Sequence, residues 1–232
     1  MAIYRGPKTI NRGLILHLDA ANPKSYPGSG TAWKDMVSGT DASLVNGPSY
    51  SPSKSGILQF DGANDYCQVT SNGQGKFDNQ NFTIEAWAKP EDDSDGVIFS
   101  YDYTSHTPPY YATQFRFMSN GRIYFSWNNN GSWTSNVTSF STPNDTYVLD
   151  EWQHVAAVFT SGRQEIWLDG VKVDFESKTH TITYYNQEVW VGRGNWSTSY
   201  LDGGIATVRY YNVALSADEI IQNYNATKLR FI

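Results

Sequence analysis

The stretch that decides the fold is Glu151–Val173, EWQHVAAVFTSGRQEIWLDGVKV. Trp152, His154, Ala156 and Val158 alternate with Gln153, Val155, Ala157 and Phe159. A strand sends such sets to opposite faces, and both sets are largely apolar, so cover is expected on both sides. The Ser161-Gly162-Arg163 turn leads into Ile166-Trp167-Leu168. Asp169-Gly170 then takes positive φ cheaply and sets a two-residue hairpin returning through Val171 and Val173. A strand covered on both faces and flanked by hairpins belongs in the middle of a β-sandwich.

Working outward, Trp152-x-His154-Val155-Ala156 with the Leu168-Asp169-Gly170 hairpin resembles the laminin-G-like, concanavalin A-like jelly-roll family. So do Leu58-Gln-Phe-Asp-Gly-Ala-Asn-Asp-Tyr66, Phe82-Thr-Ile-Glu-Ala-Trp87, Val191-Gly-Arg193 and Gly204-Ile-Ala-Thr-Val-Arg-Tyr-Tyr-Asn-Val-Ala-Leu-Ser216. The likeness runs from about Gly13 to Phe231. It implies an all-β, two-sheet antiparallel jelly-roll sandwich, as a single domain over residues 13–232 behind an N-terminal arm of residues 1–12.

Two further strings narrow the likeness. Leu18-Asp-Ala-Ala-Asn-Pro-Lys-Ser-Tyr-Pro-Gly-Ser-Gly30 resembles the opening of laminin-G-like domains encoded by tailed bacteriophages, especially those of cyanobacteria. Asn212–Ser216 with Gln222–Phe231 resembles the same group. That likeness implies a non-enzymatic virion structural or decoration protein on the capsid, neck or tail. Its partners would be other virion proteins, or further copies of itself. The alternative is a carbohydrate-binding adhesin that recognises host surface glycan.

Composition sets outer bounds. At 232 residues with a net charge of -6 and a pI near 5.1, the chain scatters its basic residues, so nucleic acid is not an expected partner. Eight tryptophans and sixteen tyrosines mean that it packs with rings, many keeping a polar edge near water or a partner. The single cysteine, Cys67, excludes an internal disulfide, and in Tyr66-Cys-Gln-Val69 it reads as a buried small hydrophobe. Met1–Pro7 has no apolar signal core, and no run is long enough for a membrane span, so folding in a host cytoplasm is expected, with the virion as final address.

Along the chain, residues 1–12 carry Arg5, Lys8 and Arg12 and read as an edge strand, a frayed end or an arm docking on an acidic neighbour. Leu14–Leu18 reads as a strand with Leu14, Leu16 and Leu18 on one face. Asn46-Gly47, Asn72-Gly73, Asn120-Gly121 and Asn130-Gly131 mark turns at sandwich spacing. One helix is expected: Ser216 and Glu219 form a capping box. Ile220, Ile221 and Tyr224 give that helix an apolar face, to cover an edge or rim.

Catalytic chemistry finds little support. A glycosidase needs two carboxylates about 5 to 10 Å apart on one surface. Glu165 has no same-face acid beside it in sequence, Asp169 belongs to the turn, and Glu85 stands alone. His17, His106, His154 and His180 are dispersed, with no nucleophile motif or paired zinc spacing, and His154 reads as a buried, hydrogen-bonded strand residue. No cofactor is expected. Calcium is the nearest ion to one, through Asp61, Asn64 and Asp65 or the acidic loop Glu91–Asp95. The family resemblance implies an acid that is missing here, since Ile205-Ala-Thr207 stands where many members carry Ile-Asp-Glu. Binding by rings is better supported. Trp127, Trp133, Tyr101, Tyr103, Tyr110, Tyr111, Trp196 and Tyr200 lie among amides and turns, a composition that suits either a sugar or a protein partner.

Overall fold

The protein is described from a computed structural model, for residues 7–39, 41–69, 75–102, 111–128, 137–184, 188–194 and 199–232. The strands are β1 (Leu14–Asp19), β2 (Ala32–Lys34), β3 (Asp41–Val45), β4 (Ser49–Ser51), β5 (Ile57–Asp61), β6 (Tyr66–Val69), β7 (Phe82–Pro90) and β8 (Gly96–Asp102). They continue with β9 (Tyr111–Met118), β10 (Arg122–Asn128), β11 (Val137–Ser141), β12 (Gln153–Thr160), β13 (Arg163–Leu168), β14 (Val171–Glu176), β15 (Glu188–Val191) and β16 (Asp202–Tyr211). The helix α1 (Ala217–Thr227) follows the last strand.

Two antiparallel sheets form. The first runs β14-β13-β12-β7-β16-β5-β4, with β1 also pairing to β16; the second runs β11-β10-β9-β8-β15-β6-β3-β2. β12 lies inside the first sheet, between β7 and β13. Val155, Ala157 and Phe159 join the core between the sheets, while Ala156 and Val158 pack in a second cluster on the outer face, and all five are fully buried. The two-faced burial expected of this strand is therefore present. Its hairpin partner turns through Asp169 (φ 49) and Gly170 (φ 77), and Asp169 Oδ1 accepts the His154 amide at 2.8 Å, tying the turn back to β12.

The inter-sheet core is ring on ring. Phe82 stacks on Phe159 and on Tyr210 with centroids 5.4 Å apart in each case, and Phe125 meets it edge-on at 6.2 Å. Each such pair adds about 0.5–1.5 kcal/mol beyond the area it buries. This explains how a chain modest in aliphatic residues holds a core of this size.

Three local expectations need correction. Leu14, Leu16 and Leu18 do not share a face: a register shift between Leu14 and Leu16 sends Leu14 to the outer cluster, while Leu16 and Leu18 stay in the core. A bulge adds one residue to a strand and so breaks its two-residue period. The helix has its capping box as expected, but it covers the outer face of the first sheet rather than an edge or rim. Its buried face is Ile220 and Asn223, whereas Ile221 is 39% exposed. The arm, where described, docks on its own chain: Arg12 reaches both oxygens of Glu219 (3.0 and 2.7 Å), and the Ile10 amide donates to Asn223 Oδ1 at 2.7 Å.

Candidate functional site

Of the eight rings expected to meet a partner, the structure turns two inward. Trp127 is fully buried, 5.3 Å from both Phe125 and Phe159 by ring centroid, so its ring is closed to a partner. The cause is the alternation Ile123-x-Phe125-x-Trp127 along β10, which puts position 127 on the core face. Tyr101 is core as well, and its hydroxyl donates to Asp78 at 2.7 Å. Burial, with Asp78 beside it, pushes that phenol above its ordinary range. Tyr111 starts β9. Tyr103, Tyr110, Trp133 and Trp196 lie outside the described residues, as do Asn72-Gly73 and Asn130-Gly131. Tyr200 is half-buried and pairs with Arg193 through a single β-bridge.

That bridge opens onto the outer face of the second sheet, where the polar chemistry is concentrated. Ser43, Gln68, Trp190, Ser100, Gln114, Ser126 and Ser139 are successive cross-strand partners over β3, β6, β15, β8, β9, β10 and β11. Directly paired residues point the same way, so these side chains form one row. Ser100, Gln114 and Ser126 are at most 1% exposed, yet Gln114 Oε1 and Ser126 Oγ have no hydrogen-bond partner. A buried polar atom left unpaired costs about 1–3 kcal/mol, so such atoms call for a partner such as a ligand hydroxyl.

One step along the row, Asp102 and Glu188 face each other across β8 and β15. Like charges so placed repel. Here neutral donors hold each one: Gln114 Nε2 bonds both Asp102 oxygens (3.3 and 3.0 Å), and Glu188 Oε2 accepts from Gln68 Nε2 (2.8 Å) and Trp190 Nε1 (3.2 Å). Beside them the Arg193 guanidinium carbon lies 4.2 Å from the Trp190 ring centroid, 4.7 Å from Tyr66 and 5.7 Å from Tyr200. Ser100 Oγ fixes the Arg193 carbonyl at 2.8 Å. Gly194 follows because there is no room for more: a Cβ there would lie 3.0 Å from Val97 and 3.2 Å from Gln114 Nε2. Tyr200 apart, sequence reasoning missed this set. Its members sit on seven strands and the turn after β15, and only strand register brings them together.

The acids weighed for catalysis lie on the opposite, helix-covered face. Glu85 is 1% exposed and bonds Arg209 Nη1 (2.9 Å), Asn223 Nδ2 (2.9 Å) and the Tyr211 hydroxyl (3.4 Å). Burial opposes its ionisation, but His154, Arg209 and Asn223 hold the carboxyl below its usual range. Arg209 Nε also donates to His17 Nε2 at 3.1 Å, which requires that nitrogen to be unprotonated. His154 is buried as expected but not hydrogen-bonded through its ring: Nε2 stands 3.8 Å from Glu85, and neither ring nitrogen has a partner. Glu165 is 3% exposed and held by Trp167 Nε1 (2.9 Å) and Lys172 (3.2 Å).

Cys67 is fully buried, and desolvation raises its thiol far above the ordinary value. At the acidic end, Asp61 Oδ1 accepts the amides of Ala63, Asn64 and Asp65 and so closes its own turn. Lys89 pairs with Glu91, and Arg116 with Asp95 at 3.6 Å. Among the described residues no three His, Cys, Asp or Glu side chains gather as metal ligands. Among the described residues no helix is long and apolar enough to cross a membrane.

Comparison with known proteins agrees with the architecture. The family model of the concanavalin A-like lectin/glucanases superfamily matches residues 61–221. No curated protein matches the chain. Among solved structures, domain 4 of AbnA, a GH43 extracellular arabinanase from Geobacillus stearothermophilus, in complex with arabinotriose, superposes with a TM-score of 0.67 at 14% identity, covering 91% of this chain and 98% of that one. Trypanosoma rangeli sialidase in complex with sialic acid gives 0.66 at 15% identity, covering 94% of this chain and 34% of that one. The receptor-binding domain of botulinum neurotoxin type G gives 0.63 at 16% identity, covering 91% and 51%. The chain thus spans about a third of the sialidase and half of the neurotoxin domain.

Proposed function

The chain belongs to the concanavalin A-like lectin/glucanases superfamily, and from that premise we propose that it is a non-enzymatic glycan-binding domain whose ligand lies on the outer face of the second sheet. The observation that carries this reading is the row through Ser100, Gln114 and Ser126, where buried polar atoms lack partners beside the ring-bordered Arg193. Sugar recognition asks for that pairing: hydroxyls meet amides and carboxylates, while ring edges and faces meet C–H surface. A domain of matching size, AbnA domain 4, is known in complex with arabinotriose. Glu85 and Glu165 are engaged by donors on the helix-covered face, which suits a structural role for both. Asp102 and Glu188 are held by amide and indole donors, which suits orienting hydroxyls.

The test is glycan-array screening of the purified protein, followed by titration of any hit against Ser126→Ala and Tyr200→Ala. Both variants are expected to weaken binding by roughly tenfold, the worth of about 1.4 kcal/mol, with folding intact. Full affinity in both would remove this face from the reading.

A second reading keeps the protein as a virion component of a tailed phage acting through protein contacts. It rests on the resemblance of residues 18–30 and 212–231. It is favoured by Val171 (63% exposed) and Phe175 (60% exposed) on β14, the outermost strand of the first sheet. Stoichiometric presence in purified particles, lost when Val171 and Phe175 are replaced by Ser, would support it.

A further inference from the structure

Arg193 is the cation whose surroundings stand out. The other described arginines meet acids: Arg12 meets Glu219, Arg116 meets Asp95, Arg163 meets Glu165, Arg209 meets Glu85 and Arg230 meets Asp19, except Arg122, which donates to the Ser119 carbonyl. Arg193 meets only the rings of Trp190, Tyr66 and Tyr200 among the described residues, with no carboxylate on its guanidinium. None of these ring contacts is a hydrogen bond to an oxygen, so the guanidinium N–H groups keep their capacity to donate to an oxyanion. Glu188, on the same face, directs Oε2 to Gln68 and Trp190. The side chain is half-buried, its backbone is pinned by Ser100, and Gly194 abuts the amide of Gln114. A guanidinium bordered by three rings and met by no carboxylate, beside buried polar atoms without partners, suits an oxyanion carried on a sugar.

We propose that Arg193 makes this face selective for an acidic glycan, its guanidinium pairing with a carboxylate or sulfate substituent while Gln114 and Ser126 take ring hydroxyls. This rests on the glycan-binding reading and goes beyond it by naming the ligand class. The rings around Arg193 would then act as an orienting collar, and the neutral row as the part that any sugar can use.

The test compares charged probes with neutral counterparts by calorimetric titration: 3′-sialyllactose against lactose, trigalacturonic acid against its carboxyl-reduced trisaccharide, and a sulfated galactose disaccharide against its desulfated form. The wild-type protein is expected to bind at least one charged member about tenfold or more tighter than its counterpart, as charge-assisted hydrogen bonds allow. Which pair responds separates carboxylate from sulfate. Arg193→Gln should bring the two members of a pair to the same affinity, with the loss falling on the charged member, and circular dichroism should show the fold retained. Arg193→Lys, which keeps the charge and loses the fork, should retain only part of it. Equal affinity for both members of every pair, or a preference that survives in Arg193→Gln, overturns the inference and leaves the glycan reading standing. Failure to bind either member of any pair overturns both.

Discussion

Arg209 Nη1 lies 2.9 Å from Glu85 Oε1 beneath the C-terminal helix, and both side chains are at most 3% exposed. The pair joins β16 to β7. Through Asn223, which bonds Glu85, Tyr211 and the Ile10 amide, it also fixes the helix and the N-terminal arm on the sheet. The residues that carry the family resemblance therefore fasten the helix and the arm to the covered face.

Glu85→Ala is expected to destabilise the protein by about 3–5 kcal/mol, because it leaves Arg209 buried without its counter-charge. Urea denaturation reads this directly. A loss under about 1 kcal/mol would mean that water or another acid reaches Arg209 easily.

The same cluster sets an acid sensitivity. Burial, with the Arg209 charge nearby, lowers the His17 pKa to about 4; burial lowers His154 to about 4 despite Glu85, with Arg209 contributing. Both folded-state values are below the unfolded value near 6.5, so the unfolded chain binds protons first. The neutral rings' contribution is present above pH 6.5 and is lost as pH falls from there toward 4. The urea midpoint should drop across that window, and the drop should shrink in the His17→Gln, His154→Gln double variant. A midpoint flat from pH 7 to 4.5 would contradict it.

Trp127 and Ser126 are adjacent in β10 and should behave in opposite ways. Trp127→Ala empties a core site and should cost about 3–5 kcal/mol. Ser126→Ala removes a buried hydroxyl with no partner, so stability should hold or rise by up to about 1–3 kcal/mol while glycan affinity falls. Equal stability losses in the two variants would place Ser126 in the packing instead.

Calcium is expected to leave the melting temperature unchanged, because Asp61 Oδ1 closes its own turn and Lys89 and Arg116 answer Glu91 and Asp95. A bound ion at a hundred times its Kd would add about 2.7 kcal/mol. A melting shift reversed by chelator would show a site using other oxygens.

The sequence by itself determined the sandwich. Two-residue alternation in Val155–Phe159, the Asp169-Gly170 turn and the Ser216–Glu219 cap are local signals, and each sets its own element through backbone sterics or a nearby hydrogen bond. Trp127 was legible too, had the alternation from Ile123 been continued through it. Tertiary structure alone decided what each face carries. The bulge that turns Leu14 away depends on how β1 meets β16. Gln68, Asp102, Gln114, Ser126, Glu188 and Arg193 become neighbours only through the register of five strands and the turn after β15. Register is a long-range property, fixed by which hydrophobic faces can be buried together, and no window along the chain contains it.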